Sequence, residues 1–288
     1  MHAGRRRVAG LASLVLGIGV LAWGQALPLE PAHDAGASVT GAFEGWFKNP
    51  DGTFSLLLGY YNRNQRQALD IPIGPDNRIE PDGPDRGQPT YFLPGRQWGM
   101  FRIQVPADFG DNKITWTITA NGQTTVIPAS LKVDYEISPF EEAAVKNSPP
   151  VLGFEEHGPT VQGPMGLMAS KTAQVKQPMP LTIWLSDDGK FTSSSGARPK
   201  TLGAALAATW RKFRGPGEVT FANNKPAVTF APADPKSMRV SGKATTTATF
   251  SEPGEYILHV QINDYSGEGG GGFQCCWTNG EVRVTVRP

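Results

Sequence analysis

Short runs of alternating apolar and polar residues recur along most of this chain, and this period of two predicts β-strands. Residues 114–119 (ITWTIT) place isoleucines and a tryptophan on one face and threonines on the other. They are followed closely by Asn121-Gly122, a favoured two-residue hairpin turn. Residues 256–263 (YILHVQIN) alternate in the same way, with an apolar face and a polar face that carries His259. The pattern therefore predicts antiparallel strands, and His259 is expected at the surface.

The clearest hairpin signal is the Asn-Pro-Asp-Gly sequence at residues 49–52. Proline is pre-set for the second position of a type I turn, and glycine accepts the positive φ that follows. Two registers fit the flanking strands: a short loop with a bulge pairs Trp46 with Leu56, and a longer loop pairs Phe47 with Phe54. Because a one-residue slip exchanges the two faces of a strand, the sequence leaves open which of these side chains is buried.

Turn-forming residues separate these runs: the chain has 34 glycines and 25 prolines, while 39% of its residues are hydrophobic. That composition predicts a turn-rich, folded all-β protein. Residues 39–137 are long enough for one β-sandwich, with a strand candidate at 68–73 inside a polar stretch. Residues 138–165 are rich in proline, glycine and charge and are predicted to be an inter-domain linker, with a short helix as an option at 140–146.

Four segments of the second half occur in a recognisable order: PLTIWLSDDGK at 180–190, ATWRKFRGPGEVTF at 208–221, TTTATFSEPGEYILHVQINDYSGE at 245–268 and GEVRVTV at 280–286. This series resembles the PKD-like, immunoglobulin-like repeats of bacterial surface and secreted proteins. The resemblance implies a fold more than a function, since such repeats serve as spacers, adhesive modules and enzyme appendages. The chain departs from the repeats in its long loop at 264–274 and in its cysteines.

The predicted fold class is therefore all-β, with two immunoglobulin-like β-sandwich domains, at 39–137 and 166–288, joined by the Pro/Gly-rich linker. One segment conflicts with this prediction. Residues 201–213 (TLGAALAATWRKF) contain good helix formers, with apolar residues spaced four apart up to Trp210. The resemblance implies a strand here, and we adopt the strand.

The N-terminus has the features of an export signal. Three arginines at 5–7 precede an apolar stretch at 8–22, and the Gly-Gln-Ala sequence at 24–26 offers a small-x-small cleavage site. We expect residues 1–26 to be a signal peptide, with an uncleaved anchor as the alternative, and a secreted or periplasmic mature chain without a membrane span. Cleavage changes the formal net charge from +1 to −2. A nearly neutral chain has no electrostatic footprint for nucleic acid.

The two cysteines of the chain, Cys275 and Cys276, are adjacent and closely follow a run of four glycines. An exported chain meets oxidising conditions, which favours a disulfide between the two. Such a vicinal disulfide would rigidify a glycine-rich loop tip, with Phe273 and Trp277 beside it. The alternatives are a soft metal held by both thiolates and a disulfide to another molecule. No histidine shows a spacing that supplies further metal ligands.

If the resemblance holds, loops at one end of the second sandwich bring several carboxylates together. Asp187 and Asp188 lie in one loop, and Asp264 and Glu268 lie in the loop that precedes the cysteines. Calcium binds several oxygen ligands, which carboxylates and backbone carbonyls supply. These four residues are therefore a candidate calcium site. The alternative is an ordinary solvated turn in which the aspartates accept hydrogen bonds from backbone amides.

Aromatic residues of the first domain form a second candidate site. Trp46, Tyr60, Tyr61 and Trp98 would make a platform of the kind on which sugar rings stack. The alternative is that these rings pack in the core and at its edges.

Enzyme motifs are missing from the sequence, which has no H-E-x-x-H, no G-x-S-x-G, no P-loop and no dinucleotide fingerprint after a strand. We therefore expect a non-catalytic binding or structural module that meets a protein or glycan at the cell surface. The leading hypothesis is protein–protein or surface interaction through loop ends and strand edges. The alternative is a carbohydrate-binding module that uses the aromatic platform. Calcium is the one cofactor that the sequence suggests.

Overall fold

The computed structural model describes residues 33–142, 146–190, 206–232, 236–264 and 275–288. These residues belong to one compact unit, Ala32–Pro288. Their regular structure is β-strand, with two short 3₁₀ turns at Val133–Tyr135 and Gly163–Met165. None of the described residues lies in a helix long and apolar enough to cross a membrane. The predicted signal at 1–26 lies outside the described residues, as do Glu268, Phe273 and part of the helix option at 140–146.

Eight strands of the described chain build the first sandwich: β1 (Val39–Lys48), β2 (Phe54–Asn62), β3 (Leu69–Asp70), β4 (Asn77–Glu80), β5 (Tyr91–Phe92), β6 (Gly95–Val105), β7 (Lys113–Ala120) and β8 (Gln123–Ser130). Antiparallel pairing gives one sheet in the order β1-β2-β6, a second in the order β4-β7-β8, and a separate β3-β5 pair. The strand candidate at 68–73 is reduced to the two residues of β3.

Both predicted hairpins form. At the first, Asn49 N donates to Thr53 O (2.8 Å) and Trp46 lies opposite Leu56, so the chain adopts the bulged register. The second hairpin turns at Asn121-Gly122, where both residues have positive φ, 50° and 74°. That is the backbone that a type I′ turn requires.

Ten strands of the described chain build the second sandwich: β9 (Val151–Gly153), β10 (Thr160–Gln162), β11 (Met168–Gln174), β12 (Met179–Asp187), β13 (Ala207–Arg214), β14 (Val219–Phe221), β15 (Thr229–Phe230), β16 (Val240–Phe250), β17 (Gly254–Asn263) and β18 (Trp277–Arg287). One sheet has the order β10-β9-β12-β16-β14, with β15 also paired to β16. The other has the order β11-β18-β17-β13, in which β11 runs parallel to β18. The prediction of two immunoglobulin-like β-sandwiches is confirmed, and β13 is a strand where helix propensity competed.

The segment predicted as a linker, 138–165, contains two of these strands. β9 pairs with β12 and β10 pairs with β9, so both belong to the second sandwich. Leu152 of β9 is fully buried in the core of that sandwich. The second sandwich therefore begins upstream of residue 166. Prolines and glycines are found at the ends of short strands as often as in linkers, which is why the composition of this segment suggested a linker.

Each sandwich has its own apolar core, filled from alternating positions of its two facing sheets. In the first, Leu56 and Trp116 are 0% and 1% exposed, and in the second Trp210 is 1% exposed. The polar face of β17, however, is not solvated: His259 is 0% exposed. The expected surface position of His259 is wrong, because the first sandwich lies against that face.

Candidate functional site

Three strand ends of the second sandwich converge at the cysteine pair. β12 ends at Asp187, β17 is followed by Asp264, and β18 is preceded by Cys276. Asn147 connects two of these ends: its Nδ2 donates to Asp264 Oδ2 (2.6 Å), and its backbone oxygen lies 3.4 Å from Cys276 Sγ. We refer to this region as the acidic end, which consists of Asn147, Asp187, Asp188, Asp264, Cys275 and Cys276.

The two cysteines are joined in a disulfide. Cys275 is 4% exposed and Cys276 is 0% exposed, and their sulfurs contact the backbone oxygen of Asn147. The pair therefore packs inside the acidic end. The sequence had suggested a loop tip instead, and that expectation is wrong. A disulfide carries no thiolate, so this pairing leaves no thiolate ligand for a soft metal.

Asp187 and Asp264 are buried carboxylates at the ends of strands from the two facing sheets, and each is 4% exposed. Asp187 Oδ2 accepts a hydrogen bond from Gly189 N (2.7 Å), while its Oδ1 has no hydrogen-bond partner among the described residues. Burial raises the pKa of Asp187 to about 7, and the charges of Asp264 and Asp188 contribute to the rise. The two carboxylates thus share one poorly solvated region.

Asp188 is held by hydrogen bonds from its neighbours. Its Oδ2 accepts from Ser148 N (3.3 Å) and Ser148 Oγ (3.0 Å), and its Oδ1 accepts from Lys190 N (2.8 Å). These contacts are those expected of a turn whose aspartate caps backbone amides. Within the described residues, no three His, Cys, Asp or Glu side chains gather in a metal-binding arrangement.

The structure does not bring the predicted aromatic platform together. Trp46 and Tyr60 are core residues, 9% and 1% exposed. Tyr61 follows Tyr60 on β2 and faces the opposite side, where it is 41% exposed. The ring of Trp98 is covered by the Arg96 guanidinium, which lies 3.8 Å from the ring centroid. Because strand alternation separates them and two are buried, these rings cannot act together as one stacking surface.

A buried polar region between the two sandwiches was not predicted. His259 and Gln261 of β17 are 0% and 3% exposed. Gln261 Nε2 donates to Trp98 O of β6 (3.1 Å), and Asn279 Nδ2 of β18 donates to Gly99 O. The feature of the sequence that could have indicated this contact was the row of polar positions on β17 and β18. That row is equally typical of a solvated face, so the sequence could not reveal the contact.

Apolar and charged side chains complete this interface. Phe213 of β13 is 1% exposed and packs into the core of the first sandwich. Arg214 donates from Nη1 and Nη2 to the Asp85 carboxylate (3.0 and 2.8 Å). Lys212 Nζ lies 3.0 Å from Asp70 Oδ2. The two sandwiches are therefore joined by packing and by directed ion pairs.

His259 lies between these contacts as a neutral ring. It stacks on Phe213 with ring centroids 5.7 Å apart, and neither ring nitrogen has a hydrogen-bond partner among the described residues. Burial, together with a smaller effect of the Arg211 charge, lowers the pKa of His259 to about 3. The imidazole is therefore uncharged at neutral pH and acts as packing.

No protein-family model matches the chain, and no curated protein matches its sequence. Among solved structures it is similar to domains 4 and 5 of the S-layer protein SbsC, at 11% identity over 88% of this chain and 98% of that chain, with a TM-score of 0.24. It is also similar to the D00-D0 domain of intimin, at 13% identity over 87% and 100%, with a TM-score of 0.23. A third similar structure is the CupB6 tip adhesin from Pseudomonas aeruginosa, at 10% identity over 86% and 98%, with a TM-score of 0.20.

Proposed function

We propose that this chain is an exported, non-catalytic binding or structural module that acts through protein contacts at the cell surface. The observation that carries the proposal is the interface between the two sandwiches. Packing, hydrogen bonds and ion pairs all link the two, so the loop ends of one sandwich stand at a fixed position relative to the other. A fixed arrangement suits a module that presents surfaces, since little ordering is left for the moment of binding.

Phe213 makes the main apolar contact of this interface. It belongs to a strand of the second sandwich yet is buried in the core of the first. Burying a side chain of this size contributes about 1.5–3 kcal/mol. The ion pair between Arg214 and Asp85 contributes less, because the Asp85 side chain is half exposed to solvent. The apolar contact therefore stabilises the interface, and the bidentate pair orients it.

A strap at residues 133–140 runs alongside β1, where Glu136 forms a parallel bridge with Trp46, and it exposes apolar side chains. It is anchored on β1, where Ile137 N donates to Trp46 O (2.9 Å). Val133 and Tyr135 in the strap are 75% and 48% exposed. Exposed apolar patches on folded domains often mark contacts with other proteins, so the strap is the first surface to test.

The test places a photo-cross-linking amino acid at Tyr135 in the full chain, produced and exported by its own cells. Val126 on β8 is the matched control, since it is 54% exposed and lies on the other sheet of the same sandwich. We expect irradiation to link the Tyr135 variant to one protein and the Val126 variant to none. An exported chain that forms no cross-link at either position contradicts the proposal.

Two further assays separate the competing functions. Hydrolysis of a polysaccharide or peptide library by the purified chain, abolished by changing one carboxylate, contradicts a non-catalytic role. Binding on a glycan array that is lost on Tyr61→Ala favours the carbohydrate-binding alternative, because Tyr61 is the most exposed of the four candidate rings. A flat glycan array beside a specific protein cross-link supports the proposal.

A further inference from the structure

A cavity of about 360 Å³ lies where the two sandwiches meet. β6 of the first sandwich lines one side, and residues 164–168 together with β18 of the second line the other. Pockets that bind small molecules are commonly of this size and commonly lie between domains. Two charged residues, Arg102 and Glu281, line the cavity. Its apolar lining consists of Met100, Phe101, Pro164, Met165, Leu167 and Met168.

Glu281 gives the cavity a carboxylate without a direct partner. Its side chain makes no hydrogen bond or ion pair with the described residues, and Arg214 and Arg283 act on it only through their charges from beyond ion-pair distance. Burial raises the pKa of Glu281, and these two charges offset part of the rise. Arg214 already binds the Asp85 carboxylate. His259 lies opposite Glu281 on β17 but is uncharged at neutral pH. The carboxylate therefore favours a cationic group on a ligand.

Arg102 gives the same cavity a guanidinium with a free donor. Its Nε donates to Met165 O (3.1 Å) and its Nη1 to Ser55 Oγ (3.0 Å), while its Nη2 has no hydrogen-bond partner in the described part of the chain. Burial lowers the pKa of Arg102, and the charge of Asp51 opposes that shift from beyond ion-pair distance. An arginine nonetheless stays charged at neutral pH. The guanidinium therefore favours a carboxylate, with which it forms its strongest hydrogen bonds.

One short segment of chain holds these two charged residues near each other. Arg102 donates to the carbonyl of Met165, and the backbone N–H of Glu281 donates to Leu167 O (2.7 Å). Two residues of extended chain span at most about 7 Å, so the two attachment points are close. The guanidinium and the carboxylate nevertheless form no ion pair with each other. A gap therefore separates two opposite charges that line the same cavity.

We propose that this cavity binds a free amino acid with an apolar side chain, whose ammonium pairs with Glu281 and whose carboxylate pairs with Arg102. A zwitterion of this kind gives a partner to both charges at once. The apolar lining buries the side chain of the ligand, and methionine side chains adapt readily to its shape. The inference goes beyond the proposed surface role and does not depend on it.

The experiment is isothermal titration calorimetry of the full exported chain with L-leucine, L-methionine and L-phenylalanine at neutral pH. We expect a one-site isotherm with at least one of the three. For leucine the matched ligands are 3-methylbutylamine, which lacks the carboxylate, and 4-methylpentanoate, which lacks the ammonium. Each should bind about 10–100-fold more weakly than leucine, because each loses hydrogen bonds to a charged group. Glycine, which lacks the apolar side chain, should also bind more weakly.

Glu281→Gln and Glu255→Gln are the matched variants, since Glu255 is an exposed residue of the neighbouring strand β17 and does not line the cavity. Glu281→Gln should fold, because it removes a partly buried charge, and a Tm measured without ligand checks this. It should weaken binding of the amino acid about 10–100-fold, while Glu255→Gln leaves Kd unchanged. The proposal is overturned if none of the three amino acids binds, if an analogue binds as tightly as leucine, or if folded Glu281→Gln keeps the wild-type Kd.

Discussion

Gly99 on β6 offers the sharpest test of how the two sandwiches are joined. Its φ is +53°, in the left-handed region, and a Cβ atom built at this position would lie 2.4 Å from Cζ2 of the Trp277 indole. Trp277 is 2% exposed and begins β18 of the second sandwich. Gly99 N also donates to Glu44 Oε2 (2.7 Å). A single added methyl group at residue 99 therefore strains the backbone and forces the interface apart.

The cost of Gly99→Ala has two parts that a matched control separates. Gly110 has nearly the same φ, +54°, but a Cβ there would meet only Asp108 O, at 3.8 Å. The left-handed backbone costs alanine about 1–2 kcal/mol at either position. At residue 99 overpacking against Trp277 adds about 1–3 kcal/mol. We therefore expect losses of about 1–2 kcal/mol for Gly110→Ala and about 2–5 kcal/mol for Gly99→Ala.

Urea unfolding followed by tryptophan fluorescence measures both variants against the wild type. The Gly99→Ala variant should also lose cooperativity between the sandwiches, seen as a lower slope of free energy against urea concentration. Equal losses of free energy in the two variants would refute the reasoning. They would mean that Trp277 does not press on residue 99 and that the interface is looser than the structure shows.

Three further predictions concern other positions. His259 has a pKa of about 3 in the folded chain against 6.5 ordinarily, so below pH 6.5 the unfolded chain binds a proton that the folded chain does not. The free energy of unfolding therefore falls by about 1.4 kcal/mol per pH unit as pH drops from 6.5 towards 3. Urea unfolding at pH 7, 5 and 4 should show a shallower fall for His259→Gln. Alkylation should label Cys275 and Cys276 only after reduction, with a monomeric intact mass; labelling without reduction contradicts the disulfide. In thermal unfolding, Trp46→Ala should lower the free energy of unfolding by about 3–5 kcal/mol and Tyr61→Ala by about 0.5 kcal/mol or less. Similar losses would contradict the burial of Trp46 and the exposure of Tyr61.

Much of the architecture follows from local pattern. Alternation over residues 114–119 and 256–263 predicts strands because the side chains of a strand point to opposite faces in turn. The turn at Asn121-Gly122 is equally local, since it depends on which residues accept positive φ. At the first hairpin the sequence allowed two registers, and packing of Trp46 opposite Leu56 decided between them.

The candidate site was predicted in part. Loop positions in an immunoglobulin-like sandwich suggested that Asp187 and Asp264 would meet near the cysteines, and they do. Asn147 was missed, because it lies more than 100 residues from Asp264 and an asparagine alone carries no signal. The difference between Asp187 and Asp188 could not be read either. It depends on which carboxylate the neighbouring Ser148 and Lys190 reach in the folded chain.

By itself, the sequence determined strand content, turns and the split into two apolar cores, because these depend on periodicity and backbone preference along short segments. Only the tertiary structure decided whether the polar faces of the strands are exposed to solvent or buried between the sandwiches. His259 and Gln261 lie on a face whose pattern suits contact with water, yet the first sandwich covers it. Whether a polar face meets water or another domain depends on side chains far away in the chain, such as Trp277 against Gly99, and no local pattern records that contact.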